Sequence, residues 1–187
     1  MRTLLDEKYA PITSTFGFFH LPLEDVATGL EKWRRELYGD VCVSRPIDGF
    51  PQVLHRLEPL MGGVRPRELL VATRSDWTAY FASGLDGADE APIGQLTQTL
   101  LTNGLAIVCV PQTGTRWGAI SFQMFGPLRT HFLNYVRNVS AINDGGRWVW
   151  NLTGTEQPFE ETEAYAARRV RDRFTSQMLE RYCQALD

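Results

Sequence analysis

FLNYVRNVSAINDGGRWVWNL, residues Phe132 to Leu152, decides the fold. Two runs rich in β-branched and aromatic residues flank Asn143-Asp144-Gly145-Gly146. Asn, Asp and Gly adopt positive φ at little cost, so this quartet predicts a β-hairpin. Its arms are expected over 132–142 and 147–152. Trp148 and Trp150 stand two apart in the second arm and share a face, with Arg147, Val149 and Asn151 on the other. Each tryptophan offers a large apolar surface, so the pair is expected to turn toward the interior rather than to form a ligand platform.

Outward from the hairpin the same pattern continues. In AISFQMF, Ile120, Phe122 and Met124 alternate with Ser121 and Gln123, which predicts a half-buried strand. LAIVCV (Leu105–Val110) is unbroken apolar sequence and reads as a central strand covered on both faces. ELLVATRSDWTAYFAS predicts two strands with a bend at Arg74-Ser75-Asp76. Trp77, Ala79 and Phe81 would share one face of the second, Thr78 and Tyr80 the other. ITSTFGFF (Ile12–Phe19) and VCVS (Val41–Ser44) complete the expected strands.

Helices are expected between and after these strands. Val26, Leu30, Trp33 and Leu37 make one stripe at helical spacing, with Glu24 and Asp25 in the first turn and Gly39 as the stop. A shorter helix is expected in FPQVLHRLEPLMGG, disturbed by Pro59. Asp89 is placed as the N-cap of a helix carrying Ile93, Leu96 and Leu100. EAYAARRVRDR is expected to be a helix of mixed charge. Thr175 is expected to cap a last helix that buries Met178, Tyr182 and Leu186, with Phe174 and Leu179 as a hydrophobic staple. Strands and helices do not alternate strictly. The expectation is therefore one α+β domain over residues 1–187, a mainly antiparallel sheet with helices packed on it.

A net charge of −3 argues against a nucleic-acid backbone as partner. No apolar run approaches the roughly 20 residues that cross a bilayer, and the acidic N-terminus does not resemble a signal peptide, so a cytoplasmic protein without membrane contact is expected. Cys42, Cys109 and Cys183 lie far apart, without ligand spacing, and are expected to be reduced and buried.

No nucleophile elbow, phosphate-binding loop or dinucleotide fingerprint occurs, and His20, His55 and His131 are isolated. Asp76 and Asp144 lie at bends and Asp172 among arginines, where local bonds explain them. Neither catalytic residues, metal nor cofactor is expected. Acids gather instead in two loop-like stretches: Asp86, Asp89 and Glu90 in one, Glu156, Glu160, Glu161 and Glu163 in the other. Trp117, in the loop QTGTRWG, is the best candidate for an exposed aromatic.

SDWTAYF, NDGGRWVWNLTGTEQPFE and YAARRVRDRFTSQMLERYCQAL resemble a family of bacterial proteins frequent in actinobacteria, over about Asp76 to Leu186. The resemblance implies a kinship with immunity proteins of polymorphic toxin systems and carries no functional residue with it. It makes a cognate protein toxin the expected partner, met by Asp86, Asp89, Glu90, Glu156, Glu160, Glu161 and Trp117, since acids oppose a basic site. The alternative is a small enzyme or ligand-binding protein with a pocket between sheet and helices, and Trp77, Tyr80, Arg116 or His131 at its mouth.

Overall fold

The computed structural model describes residues 3–63 and 65–186. It is an α+β protein built on one seven-stranded antiparallel sheet, in the order β2-β3-β1-β4-β5-β6-β7. The strands are β1 (Thr15–Phe19), β2 (Glu68–Ala72), β3 (Thr78–Ala82), β4 (Gly104–Val110), β5 (Ala119–Phe125), β6 (Tyr135–Asp144) and β7 (Arg147–Gly154). The apolar run Leu105–Val110 occupies the middle strand, as its composition requires. Leu105, Ile107 and Cys109 enter the core of one face and Ala106 that of the other.

On the first face, Phe81, Ile107, Phe122 and Val139 pack under the last helix, α4 (Ser176–Gln184), and under the 3-10 helix Gln52–Leu57. On the second face, α1 (Leu23–Tyr38) and α2 (Ala91–Thr99) bring Val26, Leu30, Ile93 and Leu96 against Phe19, Tyr80 and Phe125. Glycine makes this approach possible. A Cβ on Gly17 would stand 2.3 Å from Ile93 Cδ1, and one on Gly104 would stand 2.6 Å from Thr97 Cγ2. Beyond α2, the second face of β5 to β7 carries rows of polar side chains: Ser121 opposite Ser140, and Ser140 opposite Asn151.

The β6–β7 hairpin closes through Gly145 (φ 60°) and Gly146 (φ 97°), with Asp144 opposite Arg147. Trp148 and Trp150 turn to the first face and pack at the margin of its core, half-buried because β7 is the edge strand. Trp150 meets Tyr165 with ring centroids 5.2 Å apart. Thr175 Oγ1 accepts from the Met178 amide at 3.3 Å, and Phe174 and Tyr182 are fully buried. No helix among the described residues is long and apolar enough to cross a membrane.

Four expectations are corrected. Val41–Ser44 is not a strand. It is an exposed irregular run with no neighbouring strand, so its β-branched residues have no ladder to join, and Cys42 is exposed rather than buried. Leu37, expected on the buried stripe of α1, is about half exposed, because the stripe outruns the sheet beneath it. EAYAARRVRDR is not one helix but a 3-10 turn, Thr162–Ala166, and a single turn α3 (Val170–Arg173). Tyr165 and Val170 both pack on the first core. Five residues apart, they would point about 140° away from each other on one helix. The extended backbone at Ala167 and Arg169 resolves that conflict. Finally, β6 begins at Tyr135, not Phe132, and leaves residues 126–134 as a loop.

Candidate functional site

That loop is anchored at its base, and its exposed outer part carries Leu128, Phe132 and Leu133 together with Arg129, Thr130 and His131. Asn134 is buried, and its Nδ2 lies 3.0 Å from the Gly94 carbonyl, 2.9 Å from Thr97 Oγ1 and 2.8 Å from the Gly126 carbonyl. The Thr130 amide donates to the Leu133 carbonyl at 2.9 Å, and Thr130 Oγ1 to the Phe132 carbonyl at 3.0 Å. Outside this frame Leu128, Phe132 and Leu133 are 74%, 66% and 61% exposed. Single exposed apolar side chains are ordinary, but three on one braced loop make it a candidate contact surface.

Phe132 stacks on Tyr135, with centroids 5.6 Å apart and planes at 21°, and Tyr135 rests on Phe125 at 4.4 Å. The Tyr135 hydroxyl donates to Glu90 Oε1 at 2.9 Å. Burial first, and then the Glu90 carboxylate, push this hydroxyl's pKa upward, so it remains a donor. An acid thereby fixes the ring on which the exposed phenylalanine lies.

The start of β6 joins the two acidic stretches. Its register shifts between Tyr135 and Arg137, and the bulge turns these residues to opposite faces. Tyr135 reaches Glu90 on the second face, and Arg137 reaches Glu160 on the first. Asp89 accepts from the Ala91 amide at 3.0 Å and lies close enough to contribute to the Tyr135 shift. Glu156 is exposed and follows Thr155, whose amide donates to the Val136 carbonyl at 2.8 Å. Asp89, Glu90 and Glu156 therefore flank the base of the apolar loop.

The other expected contact residues lie elsewhere or are already occupied. The Glu160 side chain is fully buried against Arg137. It accepts from Arg137 Nε at 2.8 Å and Nη2 at 2.5 Å, from the Gln157 amide at 2.8 Å and from the Tyr165 hydroxyl at 2.9 Å. A carboxylate with four donors and no exposure holds the chain to the sheet. Glu161 is paired with Arg181 at 2.7 and 2.8 Å, and that hydrogen bond lowers its pKa. Asp86 belongs to the far end of the sheet, where Ala88 donates to the Thr15 carbonyl. Trp117, 56% exposed, also lies at that end, beside Gly146.

The residues named for a catalytic mouth do not converge. Trp77 is buried on the first face and donates to the Leu186 carbonyl at 2.9 Å. Tyr80 lies in the second core and donates to Glu68, which also holds Arg34. Arg116 bonds Ser14 and Glu7, and His131 is exposed on the apolar loop. Burial pushes Cys109 up to about 11 and Cys183 to about 12, away from nucleophilic thiolate character. Among the described residues no group of three or more His, Cys, Asp or Glu side chains is placed to hold a metal ion.

A groove of 630 Å³ runs between α1 and α2, beside Trp33 and Lys32. Another, of 340 Å³, lies between the sheet and the start of α4 and is lined by Trp148, Gln112, Arg171 and Ser176.

Leu128, Phe132 and Leu133 were not among the expected contacts, because Phe132 and Leu133 read as the start of a strand. Gly126-Pro127 and the adjacency of Phe132 and Leu133 carry the contrary signal. Neighbours in a half-buried strand cannot both face its core. No protein-family model, no curated protein and no solved structure matches the chain.

Proposed function

We propose that this chain works by binding another protein through the acid-flanked apolar loop 126–134, and that the bound protein is a toxin which it neutralises. One observation carries the binding reading: Phe132 is held exposed on Tyr135, whose hydroxyl is fixed by Glu90. A braced, exposed aromatic has the character of an interface anchor, because little side-chain entropy remains to be lost on docking. Asp89, Glu90 and Glu156 around it favour a partner with a basic rim, and steer its approach. The toxin part of the reading rests on the resemblance of about Asp76 to Leu186 to a bacterial family for which that resemblance implies kinship with immunity proteins.

The test is co-expression with each protein encoded beside the gene for this chain, followed by purification through a tag on the neighbour. The expected result is a one-to-one complex in which the neighbour's toxicity to the cell is suppressed. A neighbour that is toxic and is neither bound nor suppressed would contradict the reading.

A second reading, small-ligand binding, is favoured by the 340 Å³ groove, where Trp148 and Arg171 stand beside the first turn of α4. Trp148 fluorescence titrated with small anionic aromatic compounds tests it. A saturable change lost in Arg171→Ala would support this reading over the first.

A further inference from the structure

We propose that the 340 Å³ groove at the start of α4 binds an aromatic oxyanion, its ring against Trp148 and its charged head at the first turn of the helix, beside Ser176 and Arg171. This rests on the ligand-binding reading of that groove and names the class of compound it takes. The volume lies at the small end of the range for small-molecule sites, about 300–1,000 Å³.

The helix begins with donors to spare. Thr175 is its N-cap, and Thr175 Oγ1 accepts from the Met178 amide while the Thr175 carbonyl accepts from the Leu179 amide. The Ser176 and Gln177 amides have no acceptor among the described residues. No preceding turn offers them a carbonyl, and the helix dipole adds its positive end there, so an anion is favoured. Many helices begin this way, and Ser176 sets this one apart. It lines the groove and is 8% exposed, and its hydroxyl has no partner among the described residues. A hydroxyl at that depth is ordinarily bonded, and an oxygen of a ligand in the groove would bond it.

The rest of the lining selects the ligand. Arg171, in α3, donates no hydrogen bond among the described residues. Asp172 Oδ1 stands 3.8 Å from Arg171 Nε, beyond hydrogen-bond reach, and both side chains are more than half exposed. The guanidinium fork is therefore open to an oxyanion, which it can hold through two parallel bonds. Across the groove, Val110 of β4, Ile120 of β5 and the half-buried Trp148 of β7 form an apolar wall suited to a flat ring. Asp172 also lines the groove and opposes negative charge beyond a single oxyanion head.

Proton–nitrogen NMR of the full chain, titrated with phenyl phosphate and separately with phenol, tests this. Phenyl phosphate should shift the Ser176 and Gln177 amides and the Trp148 indole N–H saturably. It should bind at least about tenfold tighter than phenol, the equivalent of one hydrogen bond to a charged group. Ser176→Asp places a carboxylate where the anion would sit. In the first turn that carboxylate suits the helix dipole, so the melting temperature should hold or rise while phenyl phosphate binding is lost. Ser176→Ala should weaken binding about tenfold, and Asp172→Asn, which removes the opposing charge, should tighten it by up to about fivefold. Equal binding of phenyl phosphate and phenol in the groove would leave the ligand reading standing and overturn the oxyanion. Undiminished binding in folded Ser176→Asp, or in both Ser176→Ala and Asp172→Asn, would overturn the seat at α4. No saturable shift with either compound would overturn this proposal and the ligand reading together.

Discussion

Removing the Glu160 carboxylate should be the most damaging single change in the acidic stretch that follows β7. The side chain is fully buried, and its partner Arg137 is 5% exposed. In Glu160→Ala the guanidinium keeps the Gly154 carbonyl at 3.0 Å but loses both carboxylate oxygens, while the Gln157 amide and the Tyr165 hydroxyl each lose an acceptor. Leaving one member of a buried ion pair unmatched costs about 3–5 kcal/mol. With a urea slope of about 2 kcal/mol per molar, the unfolding midpoint should fall by about 1.5–2.5 M. Glu156→Ala is the control, because Glu156 is exposed and its removal should move stability by less than about 0.5 kcal/mol. Urea unfolding followed by tryptophan fluorescence and far-ultraviolet dichroism gives both values. A midpoint for Glu160→Ala within about 0.3 M of wild type would refute the reasoning, since at that slope it limits the loss to about 0.6 kcal/mol.

Trp148→Ala and Trp150→Ala should each destabilise the protein by less than the roughly 3–5 kcal/mol of a fully buried tryptophan, with Trp150→Ala the worse because it also strips the contact with Tyr165; urea midpoints unchanged in both would place the pair outside the core. Cys42 should react with a thiol reagent within seconds to minutes in the native protein while Cys109 and Cys183 wait for unfolding, a difference that mass spectrometry of quenched samples reads directly. Because burial raises the last two thiols to about 11 and about 12, the folded state holds their protons longer than the unfolded chain does. Their contribution is fully present below the unfolded thiol pKa of about 8.5 and is lost as pH rises from there through the folded values, so the urea midpoint should decline above about pH 9. Cys109→Ala should flatten part of that decline.

The sheet was largely legible in the sequence, because its strands carry their environment in their pattern. Alternation in Ala119–Phe125 marks a strand with one apolar face, and the unbroken run Leu105–Val110 marks the strand at the centre. The quartet around Gly145 fixes the antiparallel hairpin through backbone conformation alone. Misreadings fall where a local preference has no partner or two partners. Val41–Ser44 favours an extended chain, but no strand lies beside it. Residues 163–173 favour a helix, but Tyr165 and Val170 must both reach one core. Acid clusters are visible in composition, but composition does not reveal which acid is spent on a buried arginine. Glu160 and Glu156 look alike in sequence and differ entirely in burial. The apolar loop was hidden by the same rule that found the strands, since Phe132 and Leu133 satisfy strand propensity while standing outside the ladder.

The binding reading stands or falls on Phe132. The direct measurement is the affinity of the partner isolated by co-expression for wild-type chain, for Phe132→Ala and for Glu90→Gln, by surface-immobilised kinetics at low and high salt. Phe132→Ala should weaken binding at least about thirtyfold, the equivalent of a 2 kcal/mol hot spot, chiefly by faster dissociation, with an unchanged melting temperature. Glu90→Gln should slow association at low salt and lose that effect at high salt, where exposed charges are screened within about 3 Å at 1 M. A complex whose affinity stays within about threefold of wild type in Phe132→Ala would place the contact elsewhere on the protein and contradict the assignment of loop 126–134 as the binding site.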